Sequence, residues 1–180
     1  MQSEQLQAEE LLSHELDLRE GMVYADLGIG SAAYFALTGG RIVGDTGIVY
    51  GVDIQKKVLE ACESHAKSQG IYNITCIWSD LEVYGATKKI KNDSLDRVSM
   101  VNLLFQTDQD EHVFNEANRM LKTGAKILVV DWLPIDAPHG PAMEQRTSLD
   151  KVRQMAQIVG WKELRSFEPS KYHFGVVFEK

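Results

Sequence analysis

The stretch VYADLGIGSAAYF, residues Val23–Phe35, decides how the chain is read. A β-type apolar run passes straight into Gly28 and Gly30, with an acid, Asp26, two positions before the first glycine. Two glycines so close cost backbone entropy, so something must need the space they leave. A strand-to-helix turn of this composition lets the atoms of a nucleotide-like ligand approach the backbone. Glycine-rich turns also occur for purely structural reasons, so Gly28-x-Gly30 alone is weak and the rest of the chain must choose the ligand.

Working outward, strand-like runs recur at 22–27, 48–53, 74–78, 95–101 and 126–131, with helical patterns between them. Residues 55–69 place Val58, Leu59, Cys62 and Ala66 on one face at helical spacing, and 108–121 does the same with Val113, Phe114, Ala117, Met120 and Leu121. The second helix opens with Asp108 three residues before Glu111, close to a capping box, and Gly124 in LKTGA marks its end. A third helix, about 148–159, ends at Gly160 and leads to strand-like runs at 161–169 and 172–180 with Pro169 and Ser170 between them. The alternation predicts an α/β, doubly wound, mostly parallel sheet of seven strands, closed by an antiparallel C-terminal hairpin.

Bulk properties bound the function. A chain of 180 residues with 44% apolar and 25% charged content reads as one soluble domain, 1–180, with residues 1–20 as an N-terminal helix or lid. No apolar run is long enough to span a bilayer, and the acidic N-terminus is wrong for a secretory signal, so a cytoplasmic location is expected. Cys62 and Cys76 offer neither a disulfide framework nor metal-ligand spacing, and no metal site is expected. A net charge of -7 argues against a broad basic face for duplex nucleic acid. A homodimer is compatible with the sequence, and nothing in it selects one.

The choice of ligand narrows by elimination. No Gly-Lys-Ser/Thr follows the glycines, so a phosphate-cradling Walker turn fails. A dinucleotide fingerprint tolerates Ala33 at its third glycine and expects an acid at the end of the second strand, where Asp53 stands. The NAD reading is alive on those two features. Asp26 would repel a pyrophosphate but suits a cationic α-amino group, and Asp80 in WSDLE sits where a carboxylate could accept from an adenine amine. The terminal hairpin also departs from a simple dinucleotide domain. An amine, a ribose diol and an adenine, matched to Asp26, Asp53 and Asp80, describe S-adenosylmethionine.

The sequence resembles class I S-adenosylmethionine-dependent methyltransferases, and most closely the small ubiquinone/menaquinone-biosynthesis-like, type 11 proteins. VYADLGIGSA is similar to their motif I, GDTGIVYGVDIQKKVLE to the second strand with its ribose-binding acid, and CIWSDLE to the third-strand adenine site. LDRVSMVNLLF and ANRMLKTGAKILVVDW resemble the fourth and fifth strands. The resemblance implies a single methyltransferase domain that uses S-adenosylmethionine and releases S-adenosylhomocysteine. It implies cofactor contacts from Asp26, Gly28, Gly30, Asp53, Ile54 (under the adenine), Asp80, Leu81 and Asn102 (on the methyl-donor side). Ser31-Ala32 stand where motif I usually has a further glycine. Asn102 lacks the Asn/Asp-Pro-Pro-aromatic tetrad of amino-group methylating relatives, and two cysteines are too few for an arsenic-methylating one.

Chemistry on the acceptor side is carried by fewer signals. The stretch DWLPIDAPHGPAMEQR (131–146) holds three of the four prolines and follows the C-terminal end of the fifth strand, where ligands of open α/β sheets bind. Trp132, His139, Met143 and Arg146 are its candidate contacts to a small-molecule methyl acceptor, and His139 or Glu144 its candidate bases. The bland alternative is a stiff surface connection. Bland alternatives also attend Asp26 as a turn cap and Asp53 as the N-cap of the following helix. Two other functions stay open: a dinucleotide-binding oxidoreductase module, and a catalytically idle S-adenosylmethionine-binding sensor or partner subunit.

Overall fold

The computed structural model describes residues 6–180. Seven strands, β1 (Val23–Leu27), β2 (Ile48–Asp53), β3 (Ile74–Trp78), β4 (Leu95–Val101), β5 (Leu121–Trp132), β6 (Lys162–Ser170) and β7 (His173–Glu179), form one sheet in the order β3-β2-β1-β4-β5-β7-β6. The first five are mutually parallel, and β7 runs against both β5 and β6. The expected sheet and its terminal hairpin are therefore present.

Alternation along the strands sends side chains to two cores, one on each face. One contains Ala25, Leu27, Val98 and Met100 under α4 (Asp110–Met120) and α5 (Leu149–Ile158). The other contains Tyr24, Val49, Leu128 and Val130 under α2 (Tyr34–Val43) and α3 (Lys56–Ser68). The N-terminal segment α1 (Ala8–Glu10) continues as a π-helical turn over Leu11–Glu15 and buries Ala8, Leu11 and Leu12 in that second core. Carbonyls at the end of this segment have no helical partner. Arg97 Nε donates to Leu16 O at 2.9 Å, and Arg165 Nη2 donates to His14 O at 2.9 Å and Glu15 O at 2.5 Å. Of the N-terminal helix or lid expected over 1–20, helical structure spans 8–15; residues 1–5 lie outside those described.

Two boundaries differ from expectation. Gly124 does not end a helix: α4 stops at Met120, and Leu121 enters β5 directly, opposite Leu95. The register then shifts, so that Lys126 pairs with Arg97, and Gly124 takes a φ of +78° in that irregular stretch. Asp108 does not cap α4 either. Glu82 Oε2, from the segment after β3, accepts from Gln109 N at 2.8 Å and from Asp108 N at 3.2 Å, and His112 Nδ1 lies 2.9 Å from Glu82 O. A remote carboxylate satisfies the start of the helix, a pairing that local sequence does not display.

Candidate functional site

The C-terminal ends of the parallel strands open into one cleft of about 920 Å³. Strand order lays its walls out side by side. Ser79–Glu82 follow β3, Asp53–Gln55 follow β2, Gly28–Ala32 follow β1, and Asn102–Thr107 follow β4; Trp132 ends β5, with Gly140 and Pro141 from the succeeding loop.

The glycine turn is shaped by backbone demands. Gly28 has a φ of +79°, and a Cβ there would stand 2.7 Å from Leu103 Cδ1. Gly30 has a φ of +62° with open space on its Cβ side, facing the cleft. Both conformations are costly for any residue with a side chain. The Gly30 N–H donates to Asp53 Oδ2 at 3.3 Å and the Gln55 N–H to Asp53 Oδ1 at 2.9 Å, so two backbone groups hold the Asp53 carboxylate at the lip of the turn. The N-cap of α3 is Gln55 and not Asp53, whose carboxylate instead holds the Gln55 N–H from two residues before it. Ile54 is exposed, and the Trp78 indole N–H fixes its carbonyl at 2.8 Å. Asp80 Oδ1 accepts from the Glu82 N–H at 2.9 Å, while Leu81 is buried in the cleft wall. Asn102, at a φ of +52°, lines the cleft, and its Oδ1 is buried with no hydrogen-bond partner.

Asp26 is a correction. It does not line the cleft: it is 1% exposed, and its Oδ1 accepts from Ser99 Oγ at 2.7 Å, itself 2.5 Å from the Tyr24 hydroxyl. Burial pushes its carboxyl up to about 7, against the hydrogen bonds from Ser99 and the Ala36 backbone and with the charge of Asp53 adding to the rise. Strand alternation was the available signal, since Asp26 shares a face with Tyr24 and not with Ala25 and Leu27.

The stretch 131–146 divides. Trp132, Gly140 and Pro141 line the cleft, and Gly140 lies so close to the Trp132 ring that a Cβ would approach it to 2.8 Å. His139, Met143, Glu144 and Arg146 do not line it. His139 is exposed against the edges of Trp132 and Tyr172, and Glu144 is exposed. Neither is placed as a base. Arg146 stacks 5.4 Å from the Trp132 ring and donates to Pro141 O (3.0 and 2.9 Å), Leu133 O (3.0 Å) and Ile135 O. The guanidinium pins the loop to itself. Replacing Arg146 by alanine should remove charge-assisted bonds worth about 1.5–3 kcal/mol in all. That raises the open population of the loop at least tenfold, read as faster protease cleavage within 133–146.

Three groups behind the cleft carry no clear local sequence signal. Asp131 is fully buried; Oδ2 accepts from Leu104 N and Oδ1 from Trp132 N at 2.9 and 2.8 Å, so it shapes the turn Leu104–Gln106. Burial raises its carboxyl to about 6 despite those bonds. His173 packs 4.2 Å from the Trp132 ring; burial, then the charges of His139 and Arg146, lower it to about 4. Glu116, fully buried, pairs with Arg119 and accepts from Gly85 N and Thr87 N, bracing the loop after β3.

The family model described as a methyltransferase domain matches residues 25–129, more than half of the chain and every strand from β1 through most of β5. The chain belongs to the methyltransferase-domain family. Solved structures similar to this methyltransferase-family chain share its fold at low identity. A SAM-dependent methyltransferase from Aquifex aeolicus is 24% identical with a TM-score of 0.87, over 97% of this chain and 90% of that one. An arsenic(III) S-adenosylmethionine methyltransferase from Chlamydomonas reinhardtii is 22% identical with a TM-score of 0.72, over 89% and 64%. A SAM-dependent O-methyltransferase from Thermotoga maritima is 16% identical with a TM-score of 0.71, over 96% and 64%. Among the curated proteins none matches. The resemblance read from the sequence holds for family and fold, and S-adenosylmethionine is the cofactor that goes with them.

Proposed function

We propose that the cleft binds S-adenosylmethionine across the ends of β3, β2, β1 and β4 and directs its methyl group to a small-molecule acceptor beyond β4 and β5. One observation carries the reading: Asp53, its carboxylate held by two backbone N–H groups, follows β2 and Asn102, with its partnerless Oδ1, follows β4, so the two residues flank the glycine turn after β1. An acceptor oxygen on each flank fits a ribose diol at one end and an ammonium at the other. In this reading Asn102, a residue of the cleft lining whose Oδ1 turns outward when the ammonium binds, takes the amino-group role that the sequence reading gave to Asp26.

The remaining walls fit the same ligand. Ile54 and Leu81 offer apolar surface for an adenine ring, and Asp80 an acceptor for its amine. Gly28 and Gly30 keep side chains away from the thioether arm. A pyrophosphate would meet only the backbone N–H groups of the glycine turn, since the charged residues among the described lining are the acids Asp53, Asp80 and Glu82.

When bound, the cofactor supplies a methyl carbon already activated by a sulfonium charge. The residues of this chain have to hold it, align the acceptor with the carbon–sulfur bond and keep water out. Leu103, Phe105 and Trp132 supply the water-excluding wall.

Calorimetry should show S-adenosylhomocysteine binding at about micromolar Kd and NAD not binding. Asp53→Ala should lose about 1.5–3 kcal/mol, which is a ten- to hundredfold weaker Kd, in a variant that still folds. NAD binding without S-adenosylhomocysteine binding would instead make the chain a dinucleotide module. Methyl transfer to a metabolite extract separates an enzyme from an idle sensor.

A further inference from the structure

We infer that the acceptor side of the cleft is built for an apolar thiol, taken as its thiolate, and not for a hydroxyl, an amine or an oxygen acid. The inference rests on the cofactor placement proposed above and is drawn from the composition of the two ends of the cleft.

The carboxylates of the lining all lie at the β2–β3 end: Asp53, Asp80 and Glu82. Glu82 is already engaged by the N–H groups of Asp108 and Gln109. The β4–β5 end presents Leu103, Phe105, Trp132 and Pro141, with Asn102, Gln106 and Thr107 as its polar side chains. Among the described lining residues no lysine, arginine or histidine occurs. The titratable groups nearest that end are withdrawn. Asp131 is 0% exposed with both carboxylate oxygens accepting backbone N–H bonds, and His173 is 3% exposed behind Trp132. Tyr34 adds a hydroxyl to the lining, able to donate or accept a hydrogen bond.

Among the described residues an acceptor at this end meets no carboxylate, imidazole or amine base, so its nucleophilic atom has to arrive with a free lone pair. Thiols ionise near 8.5 and phenols near 10, so at pH 7 about 3% of a thiol but about 0.1% of a phenol is ready. An alkylamine near 10.4 is almost wholly protonated. Carboxylates and phosphates are ionised too, but their compact oxygen charges are more strongly hydrated than a diffuse thiolate, so an apolar wall without a cation costs them more, and they are weaker nucleophiles. A thiolate is also the more intrinsically reactive nucleophile, and aromatic rings make favourable contacts to sulfur.

The step balances without a further reactant. The thiol proton leaves to water before the encounter. The thiolate sulfur then forms a bond to the methyl carbon as the carbon–sulfonium bond breaks, its electron pair staying on the cofactor sulfur. A negative and a positive charge become two neutral thioethers. Charge therefore disappears along the reaction path, and an apolar, water-poor wall favours that path over the separated ions.

The test uses the wild-type protein. Calorimetry first establishes S-adenosylhomocysteine binding. With S-adenosylmethionine at pH 7, benzenethiol should then be methylated at least about 30-fold faster than phenol, a lower bound set by the ionised fraction of an ordinary thiol, since an aromatic thiol is more acidic still. In the S-adenosylhomocysteine complex, thioanisole should bind and benzoate should not. Phe105→Ala should weaken thioanisole about tenfold and leave S-adenosylhomocysteine affinity within twofold. Phenol turnover matching that of the thiol, benzoate binding as tightly as thioanisole, or a protein that binds S-adenosylhomocysteine yet leaves benzenethiol unmethylated would each overturn the thiol assignment alone. Failure to bind S-adenosylhomocysteine would overturn the cofactor placement, and the thiol assignment with it.

Discussion

Asp131→Leu is expected to cost about 3–5 kcal/mol of folding stability and to abolish detectable cofactor binding. Leucine matches the aspartate roughly in size but accepts nothing, and it leaves the Leu104 and Trp132 N–H groups buried without a partner. Each such group costs about 1–3 kcal/mol, and the lost shape of the turn Leu104–Gln106 adds to that. The turn forms the cleft wall beyond β4, so the damage reaches the ligand and not stability alone. Asp131→Asn keeps one acceptor oxygen and should lose about half as much. Urea unfolding and S-adenosylhomocysteine calorimetry on both variants check this. A leucine variant of wild-type stability would mean that those N–H groups find other acceptors.

The second large effect depends on pH. The Asp26 carboxyl, with an ordinary value of 3.8, is pushed up to about 7 in the folded protein. The native state therefore holds that proton more tightly than the unfolded chain between these values, and stability contributed by Asp26 falls as pH rises through them. About three units correspond to roughly 4 kcal/mol. Asp131, raised to about 6, acts in the same direction over a narrower span. His173, lowered from 6.5 to about 4, acts oppositely, since its native state refuses a proton that the unfolded chain accepts. The informative quantity is thus the difference between wild type and Asp26→Asn, measured by urea unfolding from pH 4 to pH 8. That difference should move by several kcal/mol in favour of the variant as pH rises and level off above 7. A flat difference would show that Asp26 titrates normally.

Asp53 and Asp26 show what the sequence disclosed and what it withheld. Asp53 was legible because spacing fixes the end of a second strand, and strand ends of a parallel sheet face the ligand. Asp26 occupies an equally suggestive position, but its side-chain direction follows from counting alternation back through Tyr24, a residue whose size places it in a core. The parallel strands were legible to within a residue or two at most ends, because apolar runs bounded by turn residues are set locally. The end of α4 was not, since Leu121 is claimed by pairing with β4, and strand pairing is a long-range choice. Arg146 looked like a ligand contact for the same reason: a loop sequence does not show which carbonyls its guanidinium reaches. Leu103 and Phe105 were quoted within LDRVSMVNLLF but not read as a wall, because only the buried Asp131 folds them into one.

The Glu82 bridge bears on how the molecule would handle two ligands. Its carboxylate belongs to the segment that follows β3, at the end of the cleft proposed for adenosine, while the N–H groups it holds begin α4, just past the turn at the end proposed for the acceptor. The two ends of the cleft therefore share a clasp. A cofactor that stiffens the segment after β3 would tighten the start of α4 and lower the entropy an acceptor must surrender on entering. Such coupling would be positive cooperativity between donor and acceptor, equal in size whichever ligand is varied.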